Sequence, residues 1–131
     1  MNKYTYPAVF AQEDNGSYSV NFPDFDSCYT CGDNLADAIY MAQDVLAYTI
    51  YDLQAESKPL PQPSDPRSIS LSAGEFVNFV ACDTLEYIKR HSAKSVKKTL
   101  TIPEWLNDAA TRMNVNFSQV LQDSLTSIVQ A

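Results

Sequence analysis

Cys28-Tyr-Thr-Cys31 has the Cys-x-x-Cys spacing that suits a redox pair or half of a zinc site, and Cys82 and His91 would complete a set of four ligands. The chain has only this one His and no second Cys-x-x-Cys, so the thiols read as simple buried or strand cysteines. No metal and no other cofactor is expected. Asp24, Asp26 and Asp33 offer carboxylates of the kind a metal-dependent nuclease gathers, but three acids within one loop are common and carry no geometry by themselves. With three glycines there is no Gly-rich phosphate loop, and no Ser-His-Asp arrangement stands out. The constellation that remains is basic: Lys89, Arg90, His91, Lys94, Lys97 and Lys98 fall close together, and the last two open an alternating Lys-Thr-Leu-Thr run. These residues bind rather than catalyse, so the expected activity is recognition and not an enzymatic reaction.

Composition points the same way. The 131 residues carry 9 Lys and Arg against 16 Asp and Glu, a net charge of −7. Hydrophobic residues at 45% and charged residues at 19% exclude a disordered acidic chain. No window approaches the roughly 18 apolar residues needed to cross a bilayer. The opening Met-Asn-Lys-Tyr-Thr-Tyr-Pro has no apolar core of a secretion signal, and three cysteines are too few for a disulfide framework. No membrane is expected as a partner, and the expected location is cytoplasmic. The charge is uneven: residues 1–90 hold 5 basic and 13 acidic side chains, a net of −8, while residues 91–131 hold 4 and 3, a net of +1. An acidic body with a short basic segment suggests two surfaces that face two different partners.

The elements that position these residues follow from periodicity. Residues 3–10 alternate as a strand, with Pro7 arguing for an edge or a bulge. Asn15-Gly16 separates that run from Tyr18-Ser-Val-Asn-Phe22, which predicts a hairpin, and Ser27 to Cys31 adds a third short strand. Asn34, with Asp37 three residues on, predicts a helix start. Leu35, Ile39, Ala42, Leu46, Ile50 and Leu53 then form one apolar stripe, flanked by Tyr40, Tyr48 and Tyr51. Four prolines between Lys58 and Pro66 exclude helix or central strand there. Residues 75–82 read as a further, mostly buried strand, and residues 85–90 as a short helix or turn. The polar stretch 91–94 is the expected linker.

Residues 95–131 follow a different pattern. Val96-Lys-Lys-Thr-Leu-Thr-Ile102 alternates as one strand, and Pro103 opens a helix with Trp105, Leu106, Ala109, Ala110 and Met113 on one face. Asn114-Val115 breaks it, and Asn116 with Gln119 resembles a capping box for a second helix that carries Val120, Leu121, Leu125, Ile128 and Val129. So short a chain has too little interior to bury these faces alone, which predicts an intertwined dimer.

Lys98-Thr-Leu-Thr-Ile-Pro-Glu-Trp-Leu followed by Asn116-Phe-Ser-Gln-Val-Leu resembles a ribbon-helix-helix DNA-binding domain. Tyr6-Pro-Ala-Val-Phe, Gly16-Ser-Tyr-Ser-Val-Asn-Phe-Pro-Asp, Thr30-Cys-Gly-Asp-Asn-Leu-Ala-Asp-Ala and Pro59-Leu-Pro-Gln-Pro-Ser are similar to HicB-type antitoxins of bacterial type II toxin–antitoxin pairs. The resemblance covers nearly the whole chain. It implies an α+β protein in which an N-terminal antiparallel sheet packs on one long helix as a partial RNase H-like domain, joined to the ribbon-helix-helix unit. It further implies that residues 1–90 bind a small HicA-type mRNA-cleaving toxin, and that residues 95–131 dimerise, bind operator double-stranded DNA and repress the pair's own operon. Pairing of dimers into tetramers is left open.

On this reading, if Leu100 and Ile102 face the helices, Lys97, Thr99 and Thr101 face the DNA, where lysine reaches guanine acceptors and threonine offers a hydroxyl or a methyl. Lys98 falls on the inward side and snorkels to the edge. Asn116 and Ser118 mark a helix start able to seat a phosphate, and Lys94 adds salt-dependent attraction. Thr101 with Glu104 is an alternative helix cap. The candidate toxin contacts are Asp24, Phe25, Asp26, Asp33 and the strand at 75–82, on the argument that an acidic domain masks a basic RNA-gripping surface. The alternative function is a stand-alone ribbon-helix-helix repressor with a ligand- or protein-sensing N-terminal domain.

Overall fold

The computed structural model describes residues 2–92 and 94–130, which divide into two compact units, residues 1–94 and 95–131. In the first, the two alternating runs become β1 (Lys3–Gln12) and β2 (Tyr18–Asn21). The turn between them closes with the Glu13 amide donating to the Ser17 carbonyl at 2.8 Å, and Gly16 takes φ +87°. β3 (Tyr29–Gly32) and β4 (Glu75–Asp83) complete an antiparallel sheet in the order β3-β2-β1-β4. Register puts Tyr6 opposite Val80 and Phe10 opposite both Val20 and Phe76, which makes one face of the sheet apolar.

That face is covered by α1 (Leu35–Ala55). Asn34 caps it as expected, accepting the Asp37 amide at 2.9 Å. Its far end closes with the Ser57 amide on the Gln54 carbonyl (3.1 Å) and the Lys58 amide on the Leu53 carbonyl (2.9 Å), with Ser57 left-handed at φ 57°. The buried stripe differs from the expected one: Ala38, Ala42, Leu46, Ala47 and Ile50 are buried, whereas Leu35 is 41% exposed. The reason is a close backbone approach, since a Cβ on Gly32 would lie 2.3 Å from the Ala38 amide nitrogen and no bulkier stripe fits under the helix start.

β1 is flanked by strands on both sides, so it is not an edge as Pro7 suggested. Pairing with β2 covers only residues 9–12, however, and Pro7 pairs with Phe79 of β4 alone. Its missing N–H therefore removes no bond from the β2 ladder. The proline-rich segment is anchored by the Tyr6 hydroxyl, which donates to the Pro61 carbonyl at 2.6 Å, and by Ser64, whose amide donates to the Asp24 carboxylate at 2.9 Å. A single 3-10 turn follows at Pro66–Ser68. α2 (Thr84–His91) is capped by Asp83 and packs beside α1. His91 is thus the last residue of that helix rather than the first of a linker: the Ser92 amide still donates to the Ile88 carbonyl at 2.8 Å, and His91 Nε2 lies 3.4 Å from Asp44 of α1. Within the expected linker, Ala93 lies outside the described residues.

The second unit holds α3 (Glu104–Arg112) and α4 (Phe117–Val129), joined by a short turn. α3 ends with the Asn114 amide on the Thr111 carbonyl and the Val115 amide on the Ala110 carbonyl, both at 3.1 Å, with Asn114 at φ 57°. Asparagine tolerates that left-handed position, which is why Asn114-Val115 breaks the helix. The strand expected over 96–102 does not form: residues 94–103 are neither helix nor strand. A strand requires a ladder partner, and a single chain supplies none here.

Candidate functional site

The second unit presents the candidate nucleic-acid residues apart from Lys94, which ends the first. Lys94, Lys97, Thr99 and Thr101 are all exposed, on a segment without regular structure. Asn116 accepts the Gln119 amide at 3.0 Å, while the Gln119 side chain donates to Asp123 at 2.8 Å instead of reaching back. Half of the expected capping box is therefore present. Ser118 accepts from the Gln122 side chain at 3.0 Å. The alternative cap by Thr101 is not made, as Pro103 is the N-cap of α3 and no side chain caps the helix. The apolar faces are bare: Leu100, Ile102, Trp105, Phe117, Val120 and Leu125 are each at least 40% exposed, and no residue of α3 or α4 is buried. Such a surface is far from the water-excluded interior that stabilises a folded helical pair, and a second protein surface would have to cover it.

In the first unit the candidate acids separate. Asp24 is engaged by both the amide and the hydroxyl of Ser64, so its carboxylate fastens the proline-rich segment. Phe25 is buried at 8% exposure and stands edge-on to Tyr6 with ring centroids 4.7 Å apart, which makes it a core residue with little surface to offer. Asp26 and Asp33 stay on the surface. On β4, Phe76 and Phe79 are 40% and 53% exposed, whereas Val80 and Cys82 point inward.

The thiols also part. Cys28 lies in the core, where it accepts the Thr49 hydroxyl at 3.3 Å, and Cys31 is exposed on the opposite face of the sheet. Burial pushes the Cys28 thiol up, against the Thr49 hydrogen bond, and burial with Asp83 pushes Cys82 up to about 12. Among the described residues no three His, Cys, Asp or Glu side chains converge as a metal site. A cleft of about 530 Å³ between α1, α2 and the ends of β1 and β4 mixes Lys3 and Arg90 with Asp83 and Glu86, without a dominant charge.

The α1–α2 seam holds residues that periodicity marked only as flanking the stripe. Arg90 donates to the Tyr40 hydroxyl at 2.8 Å and to Asp44 at 3.3 Å, and its guanidinium carbon is 5.8 Å from the Tyr40 ring centroid. Tyr87 stacks near His91 at 4.3 Å and stands 6.3 Å from both Tyr48 and Tyr51. Burial, then Asp44, raises the Tyr87 hydroxyl above the ordinary tyrosine range. The spacing of these residues along α1 was legible; their partners on α2 were not.

A four-stranded sheet backed by one helix, with two further helices whose apolar faces are bare, defines a two-unit α+β protein. Residues 5–73 match the family model of the HicB-like antitoxin of bacterial toxin–antitoxin systems, and the chain belongs to that family. A toxin–antitoxin complex from Streptococcus pneumoniae contains a chain 34% identical to this one, with a TM-score of 0.63 over 95% of this chain and 98% of that one. A chain of the HicA3 and HicB3 toxin–antitoxin complex is 32% identical over 61% of this chain and 99% of its own length, with a TM-score of 0.51. Antitoxin HicB 1 of Photorhabdus laumondii is 38% identical over 60 residues, 44% of this chain and 39% of that protein. No helix among the described residues is long and apolar enough to cross a membrane.

Proposed function

We propose that this antitoxin neutralises a small HicA-type mRNA-cleaving toxin through residues 1–90, a partial RNase H-like unit, and represses its own operon in the cytoplasm through residues 95–131, which dimerise as a ribbon-helix-helix. The observation that carries the second half is the bare apolar face of α3 and α4 beside a partnerless segment at 94–103. One second copy supplies both missing parts, since it covers the helices and gives the segment an antiparallel ladder partner. The ladder would then turn Lys97, Thr99 and Thr101 to one face, toward the major groove. The N–H groups at the start of α4, beside Asn116 and Ser118, would seat a phosphate, and Lys94 would strengthen nonspecific attraction. For the first half, support comes from the net −8 of residues 1–90 and from the likeness to a chain of the HicA3 and HicB3 complex.

The test is a salt-titrated binding assay on the DNA upstream of the reading frame against a scrambled duplex, with co-purification of the product of the neighbouring short frame. Preferential binding at about 10⁻⁸ M or tighter is expected. Lys97→Ala should weaken it by about 1–3 kcal/mol while leaving toxin capture intact. Equal, weak binding to both duplexes overturns the repressor half, and loss of both functions in Lys97→Ala overturns the separation into two surfaces.

A further inference from the structure

The outer face of α1 repeats a spacing that has one visible use. Tyr40 and Asp44, one turn apart, receive the guanidinium of Arg90 from α2: one nitrogen reaches the Tyr40 hydroxyl at 2.8 Å, another reaches Asp44 at 3.3 Å, and the cation lies over the ring. A ring face and a carboxylate on the same side of a helix form a seat for arginine, which is planar, weakly hydrated and always charged. Two turns further on, about 12 Å along the axis, Tyr48 and Asp52 repeat the pair at the same separation, with Tyr51 beside them.

Among the described residues no cation lies on this second pair as Arg90 lies on the first. Tyr48 is 52% exposed and Tyr51 44% exposed. No ion pair or side-chain hydrogen bond among the described residues engages Asp52. The neighbouring cation, Lys58, pairs with Glu56 at 2.7 Å, and its ammonium is held in the charged form by Glu56 first and by Asp52 only weakly. The rings are backed from α2 by Tyr87, 6.3 Å from each, so they form a supported aromatic surface rather than isolated side chains. Exposed tyrosines on a rigid element, next to a carboxylate held in no hydrogen bond or ion pair among the described residues, have the composition of interface anchors.

We infer that Tyr48, Tyr51 and Asp52 on the outer face of α1 are the docking surface for the toxin's basic RNA-gripping side, with a toxin arginine occupying Tyr48–Asp52 as Arg90 occupies Tyr40–Asp44. The inference rests on the toxin-binding reading of the first unit and names the face that performs it. The partner's chemistry follows from the seat: a guanidinium satisfies ring and carboxylate together, and the −8 body attracts a cationic surface toward it. The outer face of the sheet is the competing surface. It exposes Tyr29 and Phe79 at 68% and 53%, and Glu75 lines a cleft together with Tyr29, but no ring and carboxylate there share an arginine as Tyr40 and Asp44 do.

The test titrates the toxin from the neighbouring frame, made inactive by substitution, into the full-length antitoxin at two salt concentrations. Wild type, Tyr48→Ala with Asp52→Asn, Asp52→Lys, and Phe79→Ser are compared, and far-UV circular dichroism checks each fold. The expected result is at least a tenfold loss of toxin affinity in both Asp52 variants, a weaker salt dependence, and unchanged operator binding. Asp52→Lys guards against a folding artefact, because the exposed carboxylate has only a weak attraction to Lys58 to lose, and Lys58 keeps its ion pair with Glu56. Wild-type affinity in both Asp52 variants overturns the inference while leaving the toxin-binding reading intact, and so does loss confined to Phe79→Ser. Failure of the wild-type protein to bind the toxin overturns that reading and the inference with it.

Discussion

Gly32 closes β3 directly beneath the start of α1, and its replacement by alanine is the sharpest test of how the first unit is assembled. A Cβ built there would stand 2.3 Å from the Ala38 amide nitrogen, 2.5 Å from the Ala38 Cα and 2.8 Å from the Asp37 carbonyl carbon. All three are backbone atoms, so no side-chain rotation relieves the clash. Ala38 is fully buried, and its amide donates to the Asn34 carbonyl at 2.9 Å in the first turn of the helix. Gly32→Ala must therefore lift α1 from the sheet or unwind its capped end. Overpacking typically costs about 1–3 kcal/mol, and a contact with immovable backbone belongs at the upper limit, about 3 kcal/mol. At roughly 4–8 °C per kcal/mol for a domain of this size, Tm should fall by roughly 12–24 °C. Gly16→Ala is the internal control: nothing lies within 4 Å of its Cβ position, and only the φ of +87° opposes a side chain, for about 1–2 kcal/mol. Thermal and urea unfolding of the full chain followed by far-UV circular dichroism reads both, at one fixed protein concentration so that association contributes equally. A Gly32→Ala protein within about 1 kcal/mol of wild type, or more stable than Gly16→Ala, would refute the close-approach argument.

A thiol reagent should modify Cys31 rapidly in the native protein and reach Cys28 and Cys82 only on unfolding, because Cys31 alone is exposed and burial raises the other two; more than one fast thiol per chain refutes this. The same burial makes the first unit sensitive to alkali. Above pH 9 an unfolded Cys82 loses its proton while the folded one, with its pKa at about 12, keeps it, so stability is full below pH 9 and declines from 9 toward 12. Tyr6, raised chiefly by burial, adds to that decline above pH 10. Urea midpoints that stay flat between pH 8 and pH 11 would contradict it. Ser57→Gly should stabilise by about 0.5–1 kcal/mol, since the left-handed φ of 57° at the end of α1 suits glycine and strains serine; a loss of stability in chemical denaturation would show that the Ser57 side chain matters more than its backbone.

The local elements were legible in the residues because their causes are local. Asn34 and Asn116 each hold an amide three residues on, Pro103 and Asn114 delimit α3, and two alternating runs about a turn containing Asn15-Gly16 form a hairpin. Each depends on neighbours within a few positions, where side-chain reach and φ preference suffice. The resemblance to HicB-type antitoxins was likewise carried by short motifs, and the family match falls on residues 5–73. Tertiary structure decided whatever depends on groups distant in sequence. β4 returns to the far side of β1, so Pro7 sits in an inner strand yet opposite a single partner. Asp24 fastens Ser64, 40 positions away, and Phe25 turns under Tyr6; neither can be read from a loop that looks acidic and open. Ala38 rather than Leu35 meets the sheet because Gly32 lets two backbones touch. Arg90 finds Tyr40 and Asp44 across 50 and 46 positions, a contact that no local pattern announces. The segment at 94–103 shows the same division: its alternation is intrinsic, but a ladder is a property of two strands, and within this chain the segment is neither helix nor strand.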